Sequence, residues 1–166
     1  MNLIRDIKIQ KSVRDHFGNY NFRNPIAVTL TLKQSISICR GSSFQKVSID
    51  SDKASQNLRH FFNLINSQYL GKKATRFGHR IPAISILEGT KSKRYHYHLL
   101  IDWPTDQSSH EIWNAVSSNW QKTQWGYGQI DVTTNADGGW IDYITKIKDK
   151  EDFASSIDWE NISRPE

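Results

Sequence analysis

Apolar and polar residues alternate most regularly over Ile26-Ala27-Val28-Thr29-Leu30-Thr31-Leu32, where a period of two and β-branched side chains predict a strand. A helical period follows. Leu58, Phe61, Phe62, Ile65 and Tyr69 predict a helix from about Ser51 to Leu70, capped by Asp50 or Ser51 and stopped at Gly71. Residues 33–50, between the two, read as a loop or a short pair of strands. Ile81 to Glu88 reads as a second strand, with Pro82 tolerable near its start. The turn-like GTKSKR leads into a third strand from Tyr95 to about Trp103, so these two form a hairpin that Pro104 ends. Thr105 or Ser108 starts a helix through Ile112, Trp113, Val116 and Trp120 that finishes near Thr123. Gly126-Tyr127-Gly128 precedes a strand at 129–133, and a last helix spans about Trp140 to Lys148. Ahead of Pro25, Ile4, Ile7 and Ile9 alternate weakly and predict an N-terminal arm, 1–24, with one edge strand. The acidic tail at 151–166 has no evident destination. Helices interleaved with an antiparallel hairpin imply an α+β protein, with helices flanking a mostly antiparallel, ferredoxin-like sheet over 25–150.

Composition narrows the function classes. The 166 residues suffice for one core without staples, and no apolar run approaches the roughly 18 residues of a membrane span. The opening MNLIRDIKIQKS lacks the apolar centre of a signal peptide. Cys39 is the single cysteine, so neither an internal disulfide nor a cysteine-based zinc knuckle is available, and a reducing cytoplasm fits. A net charge of +5 and a pI near 9.3 favour polyanionic partners. Lys72, Lys73, Arg76, His79 and Arg80 crowd one stretch, and Lys91, Lys93 and Arg94 another.

The chemistry gathers on Tyr95-His96-Tyr97-His98-Leu99-Leu100-Ile101-Asp102. In a strand, His96 and His98 share one face, while Tyr97, Leu99 and Ile101 take the other, the natural core side. If Glu88 lies opposite either histidine, parity puts its carboxylate on the same face. Two imidazoles and a carboxylate suit Mn²⁺, Zn²⁺, Fe²⁺ or, with some strain, Mg²⁺. The same three residues would also serve as decoration on a polar sheet face. In the last helix, Trp140, Ile141, Ile144 and Ile147 form the apolar stripe, Tyr143 borders it, and Lys146 follows one turn on. Tyr143 fits either a core residue with its hydroxyl at the rim or a phenol aimed at the sheet. A phenol is a weak nucleophile at its usual pKa of about 10, and a cation such as Lys146 favours its phenolate.

HYH at 96–98 and YITK at 143–146 resemble the HUH and YxxK motifs of HUH-superfamily endonucleases, particularly rolling-circle replication initiator (Rep) proteins. The strand AVTLTLK resembles that family's first motif, and order and spacing agree across roughly residues 25–150. The resemblance implies an HUH endonuclease fold over that span and a site-specific nickase of single-stranded DNA at an origin hairpin. His96 and His98, with Glu88, would bind Mn²⁺ or Mg²⁺. Tyr143 would attack the scissile phosphate to give a 5′-phosphotyrosine, with Lys146 steadying the charge. Lys72, Lys73, Arg76, Arg80, Lys91, Lys93 and Arg94 could hold the DNA backbone, and Phe77, Tyr95 and Trp103 could stack bases. Position 147 is Ile, so this would be a single-tyrosine enzyme, and with no P-loop a helicase would be recruited in trans. A bacterial or mobile-element host is implied, of plasmid, phage or transposon origin. A single-tyrosine transposase or a relaxase would share the chemistry. A non-catalytic, ferredoxin-like nucleic-acid-binding module is the alternative of another class.

Overall fold

A computed structural model describes residues 3–90, 93–148, 150 and 152–165. Four antiparallel strands make the central sheet: β1 (Pro25–Leu32), β4 (Ala83–Glu88), β5 (His96–Asp102) and β6 (Gly126–Thr134), in the order β4-β5-β1-β6. Two long helices, α2 (Ser51–Leu70) and α4 (Ser109–Gln121), connect them, so the main elements run β-α-β-β-α-β, the split arrangement of ferredoxin-like folds. The architecture is the α+β sandwich expected from the sequence.

Local chemistry accounts for the boundaries. The Asp50 side chain caps α2 by accepting from Lys53 N, and Ser108 and Glu111 form a reciprocal capping box on α4. Residues 33–50 resolve into a hairpin, β2 (Ser35–Arg40) and β3 (Ser43–Ser48), which packs Ile36 and Val47 on the core and leaves Phe44 exposed. The basic stretch after Gly71 forms a short helix, α3 (Lys72–Phe77).

The N-terminal expectation is overturned. Residues Leu3–Gly18 form a helix, α1, not an arm with an edge strand. Its buried side chains are Asp6, Val13 and Phe17, with Ile9 half-buried, whereas Ile4 and Ile7 face solvent. The isoleucine alternation therefore does not mark the buried face; the i, i+3, i+4 stripe through Asp6, Ile9, Val13 and Phe17 does.

Both faces of the sheet carry core. Tyr97, Leu99 and Ile101 pack with Leu58, Phe61, Val116 and Trp120 from α2 and α4. On the other face Ala27, Ile84, Ile86 and Leu100 pack with Val13 and Phe17 of α1. Also there are Ile144 of α5 (Gly139–Ile144), Phe153 of α6 (Phe153–Ser156) and Ile157. The acidic stretch thus has a destination. It runs along the β4 edge through antiparallel bridges Ile86–Ile157 and Ala83–Ser163, covering ladder groups that would otherwise stay open. Asp158 then accepts hydrogen bonds from Ser55 Oγ (2.9 Å) and from Tyr97 Oη (2.8 Å). That explains a tyrosine between the two histidines: its ring is core and its hydroxyl holds the C-terminal segment.

Candidate active site

Strand register assembles the first three residues. β4 and β5 pair Glu88 with His96 and Ile86 with His98, so Glu88, His96 and His98 lie on one face at one end of the sheet. Gly89 turns the chain directly after Glu88 with φ of 116°, where a Cβ would come within 2.7 Å of Arg94 O. His96 Nε2 and His98 Nε2 stand 3.6 and 3.5 Å from Glu88 Oε2. The other ring nitrogens are held. His96 Nδ1 donates to Arg94 O at 3.0 Å, and His98 Nδ1 lies 3.2 Å from Thr29 Oγ1 on β1. A carbonyl only accepts, so His96 carries its proton on Nδ1 and, when neutral, turns a lone pair on Nε2 toward Glu88. The threonine of the AVTLTLK strand thereby acquires a place, against His98.

Glu88 is 6% exposed, and its second oxygen has a separate partner. Lys150 Nζ donates to Glu88 Oε1 at 2.5 Å, and also to Lys146 O at 2.7 Å and Ile144 O at 3.2 Å. Burial pushes the Glu88 carboxyl up. The facing imidazoles and the Lys150 ammonium outweigh it and hold the group well below the usual carboxylate range. His96 is raised, chiefly by Glu88, against the opposing pull of its own burial. One ligand atom from each of Glu88, His96 and His98 lies within 4.8 Å of the others. Two imidazole nitrogens and one carboxylate oxygen, oriented from behind and converging from two strands, fit a divalent metal ion.

The tyrosine comes from the opposite layer. α5 ends at Ile144 rather than reaching Lys148, because Thr145 turns its hydroxyl back onto Ile141 O (2.5 Å) and α1 seizes the end of the helix. Arg14 Nε donates to Thr145 Oγ1 at 2.9 Å, another Arg14 nitrogen donates to Asp142 O at 2.9 Å, and Gln10 Nε2 donates to Thr145 O at 2.8 Å. Lys146 therefore follows the helix instead of extending it. Its ammonium still stands 4.4 Å from the centre of the Tyr143 ring. Tyr143 is 48% exposed and sets its ring edge-on to His98, centroids 5.6 Å apart. Ile144, below it, is buried in the second core.

The predicted DNA-contacting residues divide into two groups. Arg94 stands beside His96 and lays its guanidinium 4.4 Å over the Tyr127 ring of β6, and Lys93 lies in the same turn. Lys91 lies outside the described residues. Lys72, Lys73, Arg76 and Arg80 cluster on and after α3, which leads into the first residue of β4 beside Asp102, at the other end of the sheet from His96. Of the stacking candidates, Phe77 is exposed, Tyr95 half-buried and Trp103 buried. Sequence reasoning missed Lys150, Arg14 and Gln10. No sequence signal marked Lys150, which lies beyond the helix that carries Tyr143.

A sandwich whose antiparallel sheet presents a Glu-His-His cluster, with a tyrosine and a lysine above it, has the layout of a rolling-circle initiator domain, and the cluster resembles the HUH motif. A sequence model of the replication-associated protein family typified by ORF2 matches residues 25–152, and the chain belongs to that family. No curated protein and no solved structure matches it. Membership makes this a Rep-type, DNA-binding protein of replication initiation. Among the described residues no helix is long and apolar enough to cross a membrane.

Proposed function

We propose that the chain nicks and rejoins one DNA strand at a replication origin, with Tyr143 as nucleophile. The observation that carries this is the placement of an exposed tyrosine edge-on to His98, with the Lys146 ammonium against its ring and a metal-competent cluster beneath. The Tyr143 hydroxyl attacks phosphorus, a bond forms from its oxygen to phosphorus, and the P–O3′ bond breaks. The products are a 5′-phosphotyrosine and a 3′-oxygen that takes up a proton. Because a phosphodiester replaces a phosphodiester, a later 3′-hydroxyl reverses the step without ATP. Lys146 favours the phenolate through its charge. Glu88, His96 and His98 hold a divalent ion, Mn²⁺ or Mg²⁺, which when bound supplies Lewis-acid polarisation of the scissile phosphate. Arg94 and Lys93, at the same end of the sheet, steady the single strand entering the site. A helicase recruited in trans would supply the unwinding.

Incubating the protein with Mn²⁺ and single-stranded origin oligonucleotides should give a denaturant-stable protein–DNA adduct. Tyr143→Phe should abolish the adduct and keep DNA binding. His96→Ala and His98→Ala should lose Mn²⁺ binding by calorimetry together with the adduct. If Tyr143→Phe still forms the adduct, the nucleophile is elsewhere; if no candidate origin yields one, the domain binds DNA without cutting it.

A further inference from the structure

At the end of the sheet remote from the histidines lies an open cavity of about 910 Å³ that the nicking chemistry does not use. Four exposed cations line it from four separate segments: Arg23 before β1, Lys73 on α3, Arg80 before β4, and Arg164 near the C-terminus. Two carboxylates share the lining, Asp102 and Asp106. Asp102 Oδ1 is already committed, accepting from the backbone N–H of Arg23 (2.9 Å) and of Asn24 (2.6 Å). Four Lys or Arg against two Asp leave the groove positive. Its walls are fixed from beneath: Asn66 Oδ1 holds Ile81 N at 2.8 Å, and the Asn24 amide donates to Trp103 O and Thr105 O. Arg23 and Arg164 fall outside residues 25–152, so half the cations come from parts of the chain that the family match does not include.

We infer that this groove is a second DNA site, which cradles the phosphate backbone of a duplex flanking the nick; the inference rests on the reading of the chain as a DNA-processing domain. Cations on separate walls read phosphates, whereas unpaired bases need aromatic faces to stack on. Among the described lining residues the one Phe, Tyr or Trp is Trp103, which is 2% exposed, so the groove offers phosphates a grip and unpaired bases almost none. Position agrees with this role. His96 and Asp102 mark opposite ends of β5, six residues apart, or about 20 Å at the rise of a strand. At 3.4 Å per nucleotide that is about six base pairs. The groove holds the stem while the single strand reaches the histidines, and so fixes the distance from stem to nick.

The test uses the full chain, a labelled hairpin with a duplex stem, and a short single strand that spans the nick but carries no stem. Arg23→Ala with Arg80→Ala should weaken hairpin binding in fluorescence anisotropy by about tenfold and lower the slope of log K against log salt by about two, one per lost phosphate contact. Lys73→Ala with Arg164→Ala, on different walls, should do the same. Binding of the short strand and its adduct yield should stay at wild-type levels in both. Unchanged hairpin affinity and slope in two folded double variants would overturn the inference. So would a loss confined to the short strand, which would make the groove a single-strand channel. If wild-type protein forms no adduct while the double variants still show the hairpin defect, the nicking reading falls and the groove stands.

Discussion

Lys150 shows how much of this site depends on a single buried charge. Its side chain is 1% exposed, and it ties the Glu88 carboxylate to the two carbonyls, Ile144 O and Lys146 O, that follow the nucleophile. With Oε1 engaged by Lys150, Glu88 turns Oε2 to the imidazoles, which suits one-oxygen coordination of a metal. Lys150→Met strands a buried carboxylate and should cost about 3–5 kcal/mol in urea denaturation. Adding Glu88→Gln should recover most of that loss. A cost below about 1 kcal/mol would mean that the pair behaves like an exposed one. The other site residues were legible for a simple reason. A strand repeats every two residues, so His96, His98 and Glu88 could be placed on one face from their numbering. Lys150 could not be so placed. Its role depends on where the chain goes after α5 stops, and that is set by contacts from residues more than a hundred positions away.

Among the elements, α1 carries the largest difference between sequence and structure. Asp6 sits in its buried stripe and Ile4 and Ile7 point outward, so the hydrophobic pattern contradicts the fold locally. The helix has a specific task. Arg14 bonds Thr145 and pairs with Asp142 at 3.2 Å, closing the C-terminal end of the short helix that bears Tyr143. Six residues make a helix of under two turns, which would be marginal alone. Arg14→Ala should therefore slow single-turnover adduct formation by about tenfold, through misplacement of the nucleophile. Mn²⁺ affinity, measured by calorimetry, should not change. A parallel drop in both would show that Arg14 supports the whole face rather than α5. The strands and long helices were legible because period and caps agreed with burial. The final helix was overextended because the stripe continues to Ile147 after the backbone has left the helix.

For the molecule as a whole, the charged cluster sets how stability responds to pH. Glu88 titrates below its ordinary 4.5, so its pairing contributes fully above that pH and is lost as pH falls through the lowered value. His96 titrates above its ordinary 6.5, so its pairing with Glu88 is fully present below 6.5 and is lost as pH rises through the raised value. Metal-free protein should thus be most stable in the window between them. Mn²⁺ binds the neutral ring and competes with that proton, so its stabilisation should grow as pH rises from about 6 to 8. Thermal unfolding with EDTA or with Mn²⁺ across that range measures both trends. A Mn²⁺-induced shift of constant size would sink the competition, and with it the place of His96 among the ligands.

The same C-terminal segment that covers β4 also holds Tyr97, and α1 holds Tyr143, yet both lie wholly or mostly beyond the matched residues 25–152. The matched span is thus a chemical unit without being a mechanical one. An excised 25–152 fragment would keep every atom named in the reaction. It would lose the brace behind the nucleophile, the cover on the sheet's edge and two of the four groove cations. For this architecture, motif boundaries are the wrong place to cut.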